Sequence, residues 1–356
     1  MGGSTYAKPR EYAGIDFFRI FAAVLVIAVH TAPFSVISGD LDFLLTYCLG
    51  RIAVPFFLMT TGYFLLGPWK SAGCRDSRKI SRFLKKTLFL YLAASILYLP
   101  VNLYSGGLPD TAGSFLKMLF FDGTFYHLWY FPAAVIGCIL AAVLLRYTSL
   151  RTAMLAASLL WLFGLGGDSY FGLASRLPAL KTIYSAVFSI SSYTRNGIFF
   201  APLFLLMGAA VYEISRKKFW QLRDLRDDRR TLSLFTAGLA ASGVLMLTEG
   251  YLTYSLGLQR HNSMYLFLVP VMYFLFRLLL LVPGNAPVLV RNISMLVYVI
   301  HPAVIIALRG AAKAVGLTWL LVDNTLVQFL TVTAASFAAA ALIGYVTGYV
   351  LKRKGR

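Results

Sequence analysis

Apolar stretches of bilayer length recur along the whole chain, separated by short polar segments. They cover residues 15–37, 44–66, 87–104, 126–145, 152–167, 196–215, 231–250, 263–282, 293–312 and 325–350. A run of about 20 apolar residues crosses the hydrocarbon core as one helix. Lipid offers the backbone no hydrogen-bond partner, so these runs are expected as helices, and none shows the weak alternation of a membrane barrel. The pattern predicts an all-α polytopic membrane protein of about ten transmembrane helices, with 152–167 the shortest. Residues 1–356 read as one integral-membrane domain, without an internal repeat or a separate soluble domain.

Charge sets the expected orientation. Lys70–Lys86 carries seven basic residues, Arg216–Arg230 seven more and the terminal KRKGR four. Lys8 and Arg10 precede the first run, and Arg146 and Arg151 flank the gap between the fourth and fifth. With ten spans all of these fall on one side, so both termini are expected in the cytoplasm. The opposite connections, Tyr104–His127 and Gly166–Arg195, are long and aromatic, and Ser114–Phe121 is expected as a short interfacial or re-entrant helix. The first run is too long for a signal-peptide core and has no small-residue cleavage site, so it is expected to be retained.

Composition narrows the function classes. The chain is 59% hydrophobic with a net charge of +19, and its mean hydropathy is +0.73. In a soluble protein that charge would suggest nucleic acid. Here it is a topology signal with a secondary attraction to anionic headgroups, so the expected partner is the bilayer and no nucleic acid. Three cysteines, Cys48, Cys74 and Cys138, form no CxxC, and acids are sparse, so no metal site is expected.

Polar residues within the runs carry the candidate chemistry. Arg19 and His30 are eleven positions apart, three helical turns plus about 20°, so they share a face roughly 16 Å apart along the axis. Ionisable groups at membrane depth are read as functional by default. His30, Arg51, His127, Arg195, Asn196, Arg260, His261 and Ser263 are all expected near outer helix ends. His301 is expected nearer mid-depth, where Pro302 should break the helix and free a carbonyl. Asp16 and Arg19 have i, i+3 spacing suited to pairing. Many histidines and arginines with few acids describe a site for an anionic or hydroxyl-bearing ligand. The plainer alternatives are a helix–helix hydrogen bond for His30, snorkelling for Arg51, and interfacial positions for His127, Trp129 and His261. No P-loop, HExxH or Ser-His-Asp order occurs.

These residues resemble a family. Arg19-x10-His30 followed by Pro55-Phe-Phe-Leu-Met-Thr-Thr-Gly62-Tyr63 is similar to the membrane acyltransferase-3 family, and Arg82-Phe-Leu-Lys85-Lys86 resembles its cytoplasmic motif. Tyr126-His-Leu-Trp-Tyr-Phe-Pro132, Gly166-Gly-Asp-Ser-Tyr-Phe-Gly172, Thr194-Arg-Asn-Gly-Ile-Phe-Phe200 and His261-Asn-Ser-Met-Tyr-Leu-Phe267 look like the membrane domain of vancomycin-resistance serine racemases. Two features depart from these patterns. The chain ends at Arg356 without a pyridoxal-phosphate domain, so racemisation is not expected, and Phe89 and Leu90 follow the basic motif where the family has a further basic residue and a proline.

The resemblance implies a plasma-membrane enzyme moving an acyl group, usually acetyl from acetyl-CoA, to a hydroxyl of an extracytoplasmic glycan or peptidoglycan precursor. Arg19, Arg82, Lys85 and Lys86 would hold the donor's phosphates. His30 would be the general base, and Arg51 would stabilise the oxyanion. His127, Trp129, Asp168, Arg195, Asn196, His261, Ser263 and His301 would contact the acceptor. No metal is implied. The alternative is L-serine uptake, with Arg51, Arg195 and His261 on the substrate carboxylate and no coenzyme. The small residues TAASFAAAALIG of the last run fit either a homodimer contact or internal packing.

Overall fold

The computed structural model describes residues 12–217, 229–284 and 287–354. Lys8, Arg10, most of Arg216–Arg230 and Gly355–Arg356 lie outside the described residues. Among those described, the regular structure is helical. The main helices are α1 (Ala13–Thr31), α2 (Gly39–Ser71), α3 (Arg78–Ser105), α4 (Tyr130–Tyr147), α5 (Leu150–Gly166), α6 (Pro178–Ile190), α7 (Ala201–Lys217), α8 (Arg229–Ser255), α9 (Leu268–Leu279), α10 (Val288–Ala314) and α11 (Thr325–Lys354). A helix lies at each of the ten expected runs. Seven of them are long and apolar enough to cross a bilayer, whereas α5, α7 and α9 have 17, 17 and 12 residues. This is a multi-pass membrane protein.

Two expectations are corrected. Arg51 does not stand near a helix end, because α2 is continuous over 33 residues and carries Arg51 well inside it. A π-helical stretch, Phe43–Cys48, passes there into a 3₁₀ turn, Leu49–Ile52, and so re-aims the Arg51 side chain. Pro302 does not break its helix, since α10 runs through it. Within the long connection 166–195 lies a helix of its own, α6. The helix expected at 114–121 is present as Ala112–Lys117 followed by a π-helical turn, Met118–Asp122.

Helix α7 forms the centre of the bundle, with Leu203, Phe204, Leu205 and Leu206 fully enclosed by α2, α4 and α5. Its contact with α2 is backbone against backbone. A Cβ at Gly62 would stand 1.9 Å from the Leu205 carbonyl oxygen, and one at Gly208 2.1 Å from that of Met59. Small residues allow helices in lipid to approach this closely. A second core joins α1, α10 and α11 through Ala23, Ile27, Val297, Ile305, Val332 and Ala340, so part of the small-residue face of α11 packs internally.

The two ends of the bundle differ. At one, Lys70 Nζ donates to the Thr148 carbonyl at 3.0 Å, Arg146 to that of Cys74 at 3.4 Å, and the Tyr12 and Tyr63 hydroxyls meet at 2.9 Å. The basic residues of segment 70–86 and Arg146 lie at this end, the basic end of the bundle. At the other end the connections after α3, α6 and α8 close a buried polar cavity against α1, α2 and α10.

Candidate active site

The cavity has a volume of about 60 Å³, room for several waters or for a pair of small reacting groups. His30 reaches it from the last turn of α1 and Arg51 from the 3₁₀ turn of α2. Arg195 and Ser263 reach it from connecting segments, and Tyr126, His127, Trp129 and Tyr298 close it. Its lining holds two guanidinium groups and no carboxylate.

Each guanidinium is held by neutral groups. Arg51 donates through Nη2 to the Asn262 side-chain oxygen and through Nε to the Tyr47 carbonyl at 3.3 Å. Arg195 lies between two aromatic faces, 4.3 Å from the Tyr193 ring centre and 4.9 Å from that of Trp129, and donates to Ser263 Oγ at 3.3 Å. Cation–π contacts of this kind are worth about 0.5–2 kcal/mol each. The hydrogen-bond partners of both guanidiniums are neutral, and the carboxylate that interacts with them, that of buried Asp168, lies behind the lining. The guanidinium faces toward the cavity can therefore meet an anion or oxyanion.

Behind His30 stands His301, completely buried, with its ring stacked on the His30 ring at 5.2 Å and edge-on to His127 at 5.3 Å. Pro302 has no N–H for the carbonyl four residues back, that of Tyr298. His301 Nδ1 takes this acceptor at 2.9 Å, together with the Val297 carbonyl at 3.1 Å. The Tyr98 hydroxyl repairs the next position, donating to Val299 O at 2.6 Å and accepting from Ala303 N at 3.2 Å. This substitution keeps α10 continuous. Both neighbours of Nδ1 are carbonyls, so Nδ1 carries the proton and Nε2 is a bare acceptor.

The structure therefore brings together His30, Arg51, His127, Trp129, Arg195 and Ser263, with His301 directly behind them. Asn196 lies outside the lining and shapes its own turn. It accepts from Ile198 N and Phe199 N at 2.9 and 3.1 Å, and donates to Tyr193 O at 2.9 Å. Asp168 is fully buried and accepts from Ser263 N and Met264 N at 2.7 and 2.9 Å. His261 packs on Tyr193 at 4.4 Å, outside the lining. Burial, and then the Arg195 and Arg260 charges, push its imidazole down to about 4. At the basic end Arg19 Nε is 3.5 Å from Asp16 Oδ1 on α1, while Arg82, Lys85 and Lys86 stand exposed on α3.

Sequence reasoning missed Tyr126, Tyr298 and Asn262 at the cavity, and Glu249, buried on α8 outside the lining, where it accepts from Leu266 N and Phe267 N. Three of these carry no intrinsic signal in an aromatic-rich chain. Glu249 does, as an acid inside an apolar run, and the rule that singled out His30 applies equally to it.

A bundle of apolar helices around a buried cavity of histidine and arginine defines a multi-pass membrane protein with a polar active-site candidate. The acyltransferase domain of the acyltransferase-3 family matches residues 12–345, and the chain belongs to that family of membrane acyltransferases. It is 37% identical over 334 residues to an amino-acid racemase of Enterococcus faecalis, covering 93% of this chain and 45% of the relative. A second amino-acid racemase of that organism is 35% identical over 353 residues, covering 98% and 47%. A serine/alanine racemase of Enterococcus gallinarum is 36% identical over 323 residues, covering 90% and 44%. The chain thus spans about half the length of these relatives. No solved structure matches it.

Proposed function

We propose that the chain transfers an acetyl group from acetyl-CoA, held at a cytoplasmic basic end, to a hydroxyl of an extracytoplasmic cell-envelope acceptor such as a glycan or peptidoglycan precursor. The observation that carries this reading is the convergence of His30, Arg51 and Arg195 on one cavity. His30 removes the hydroxyl proton as the oxygen attacks the thioester carbonyl. Arg51 and Arg195 balance the oxyanion. When the C–S bond breaks, the proton on His30 passes to the departing sulfur.

The donor's path is supported by two features. Arg19 lies eleven residues before His30 on α1, roughly 16 Å along the axis. A small cavity of about 10 Å³ lined by Phe57, Tyr130, Ser294 and Met295 shares Val54 and Tyr298 with the main one. Arg19 is the inward-facing cation for the donor's phosphates, with Arg82, Lys85 and Lys86 at the entrance. Calorimetry with acetyl-CoA tests this reading. Saturable binding lost in Arg19→Ala supports it, and no binding at millimolar donor overturns it.

A second reading is favoured by the two cavity guanidiniums, which suit an amino-acid carboxylate, and by one relative's name, serine/alanine racemase. On that reading the chain takes up L-serine. Uptake into vesicles that needs Arg195 and ignores acetyl-CoA would put this reading first.

A further inference from the structure

Two buried acids converge on one short segment of backbone. Asp168, just after α5, accepts from Ser263 N at 2.7 Å and Met264 N at 2.9 Å. Glu249, on α8, accepts from Leu266 N at 2.6 Å, Phe267 N at 2.9 Å and the Tyr170 hydroxyl at 2.7 Å. Four N–H groups of residues 263–267 therefore end on carboxylate oxygens. The segment leads into α9 at Leu268, and helix starts leave N–H groups without backbone partners. Carboxylates satisfy them and complement the helix dipole.

The same segment reaches both cavity cations. Asn262 accepts from Arg51, and Ser263 Oγ accepts from Arg195 at 3.3 Å. The Tyr265 hydroxyl donates to the Tyr47 carbonyl at 3.3 Å, the oxygen that also accepts from Arg51 Nε at 3.3 Å. Further bonds close the segment from behind, from Gly172 N to Leu258 O at 2.7 Å and from Arg260 N to Asp168 O at 3.1 Å. Moving residues 262–265 by an ångström would displace both guanidiniums from His30. Neither carboxylate lines the cavity.

We propose that Asp168 and Glu249 are positioning residues, which clamp residues 262–267 so that Arg51 and Arg195 converge on the reacting carbonyl. This assignment rests on the transferase reading and gives Asp168 a role other than acceptor contact. Asp168 Oδ1 accepts both of its N–H groups, so asparagine keeps the clamp without the charge. Glutamine at 249 keeps one accepting oxygen and loses the bond to Leu266 N or Phe267 N, and alanine removes the acceptor at either position.

The test uses full-length protein in native membrane vesicles, whose envelope glycans and lipids supply the hydroxyl acceptor. Acetyl-CoA is the donor and thiol release the readout, alongside hydrogen exchange of residues 262–267 in the purified protein. In Asp168→Ala and Glu249→Ala, kcat per folded molecule is expected to fall by at least about tenfold, with KM for acetyl-CoA within about twofold and exchange protection lost. Asp168→Asn should recover most of the turnover, and Glu249→Gln should fall between wild type and Glu249→Ala. Asn262→Ala, which leaves the clamp intact, should show the same kcat loss with protection retained, and it serves if the alanine variants do not fold. A fall in folded yield alone, with kcat per folded molecule unchanged, would overturn the assignment. So would full turnover in Asn262→Ala. If wild type itself releases no thiol, the transferase reading fails. The clamp is then judged by exchange alone, where undiminished protection in the alanine variants overturns it.

Discussion

His301 Nδ1 lies 2.9 Å from the carbonyl oxygen of Tyr298, the acceptor that Pro302 leaves without a backbone donor. A side chain thus replaces a missing peptide N–H within the helix, and this fixes which imidazole nitrogen bears the proton. His301→Leu leaves a buried carbonyl unpaired and should destabilise the protein by about 1–3 kcal/mol. Asparagine can still donate to Tyr298, so His301→Asn should lose less than about half of that. Unfolding in detergent, compared among the three proteins, checks the order. Equal losses would show that the carbonyl bond is not what His301 supplies.

The α2–α7 contact predicts a sharp contrast between glycines. Gly62→Ala forces a methyl to 1.9 Å from the Leu205 carbonyl, where no flexible side chain can yield. Overpacking of this kind costs about 1–3 kcal/mol or more. Gly243 on α8 has nothing within 4 Å of the same position, so Gly243→Ala should be neutral or stabilising by up to about 1 kcal/mol. Folded yield and melting temperature of the two variants separate them.

His261 gives a pH dependence with a definite sign. Its imidazole is held down to about 4, by burial first and then by Arg195 and Arg260. Free histidine titrates near 6.5, so between these values the unfolded chain binds a proton that the folded chain refuses. This contribution to stability is complete above pH 6.5 and declines as pH falls toward 4. In His261→Gln that part of the acid sensitivity should disappear, which melting curves between pH 7 and 4.5 would reveal. An unchanged slope would mean that His261 is not the titrating group.

Arg195 is held as a plane between Tyr193 and Trp129, which an ammonium group cannot reproduce. Arg195→Lys keeps the charge and loses the stack and the fixed direction of its N–H groups. Thiol release from acetyl-CoA should fall about 100-fold, as for loss of one oxyanion donor. Near-normal turnover would show that charge alone suffices.

Sequence periodicity made the helices legible because lipid permits little else, and the Arg19–His30 register followed from helix geometry alone. Arg51 was legible as a charge but not in place, since a π-helical stretch and a 3₁₀ turn break the 3.6-residue count on which such projection depends. Pro302 read as a break because the compensating donors, His301 and Tyr98, act on α10 through tertiary geometry. Helix α6 was hidden by the glycine and aromatic content around it. The roles of Asp168 and Glu249 lie in backbone hydrogen bonds to a distant segment, and neither residue's own neighbours in sequence announce them.

The central claim is that His30 moves the proton in acetyl transfer. The most direct measurement is transfer of labelled acetyl from acetyl-CoA to envelope acceptors in membranes containing either wild-type protein or His30→Ala. The account predicts labelled acceptor with wild type and a loss of about 100-fold or more with His30→Ala, at equal folded amounts. Transfer by His30→Ala at the wild-type rate would contradict it.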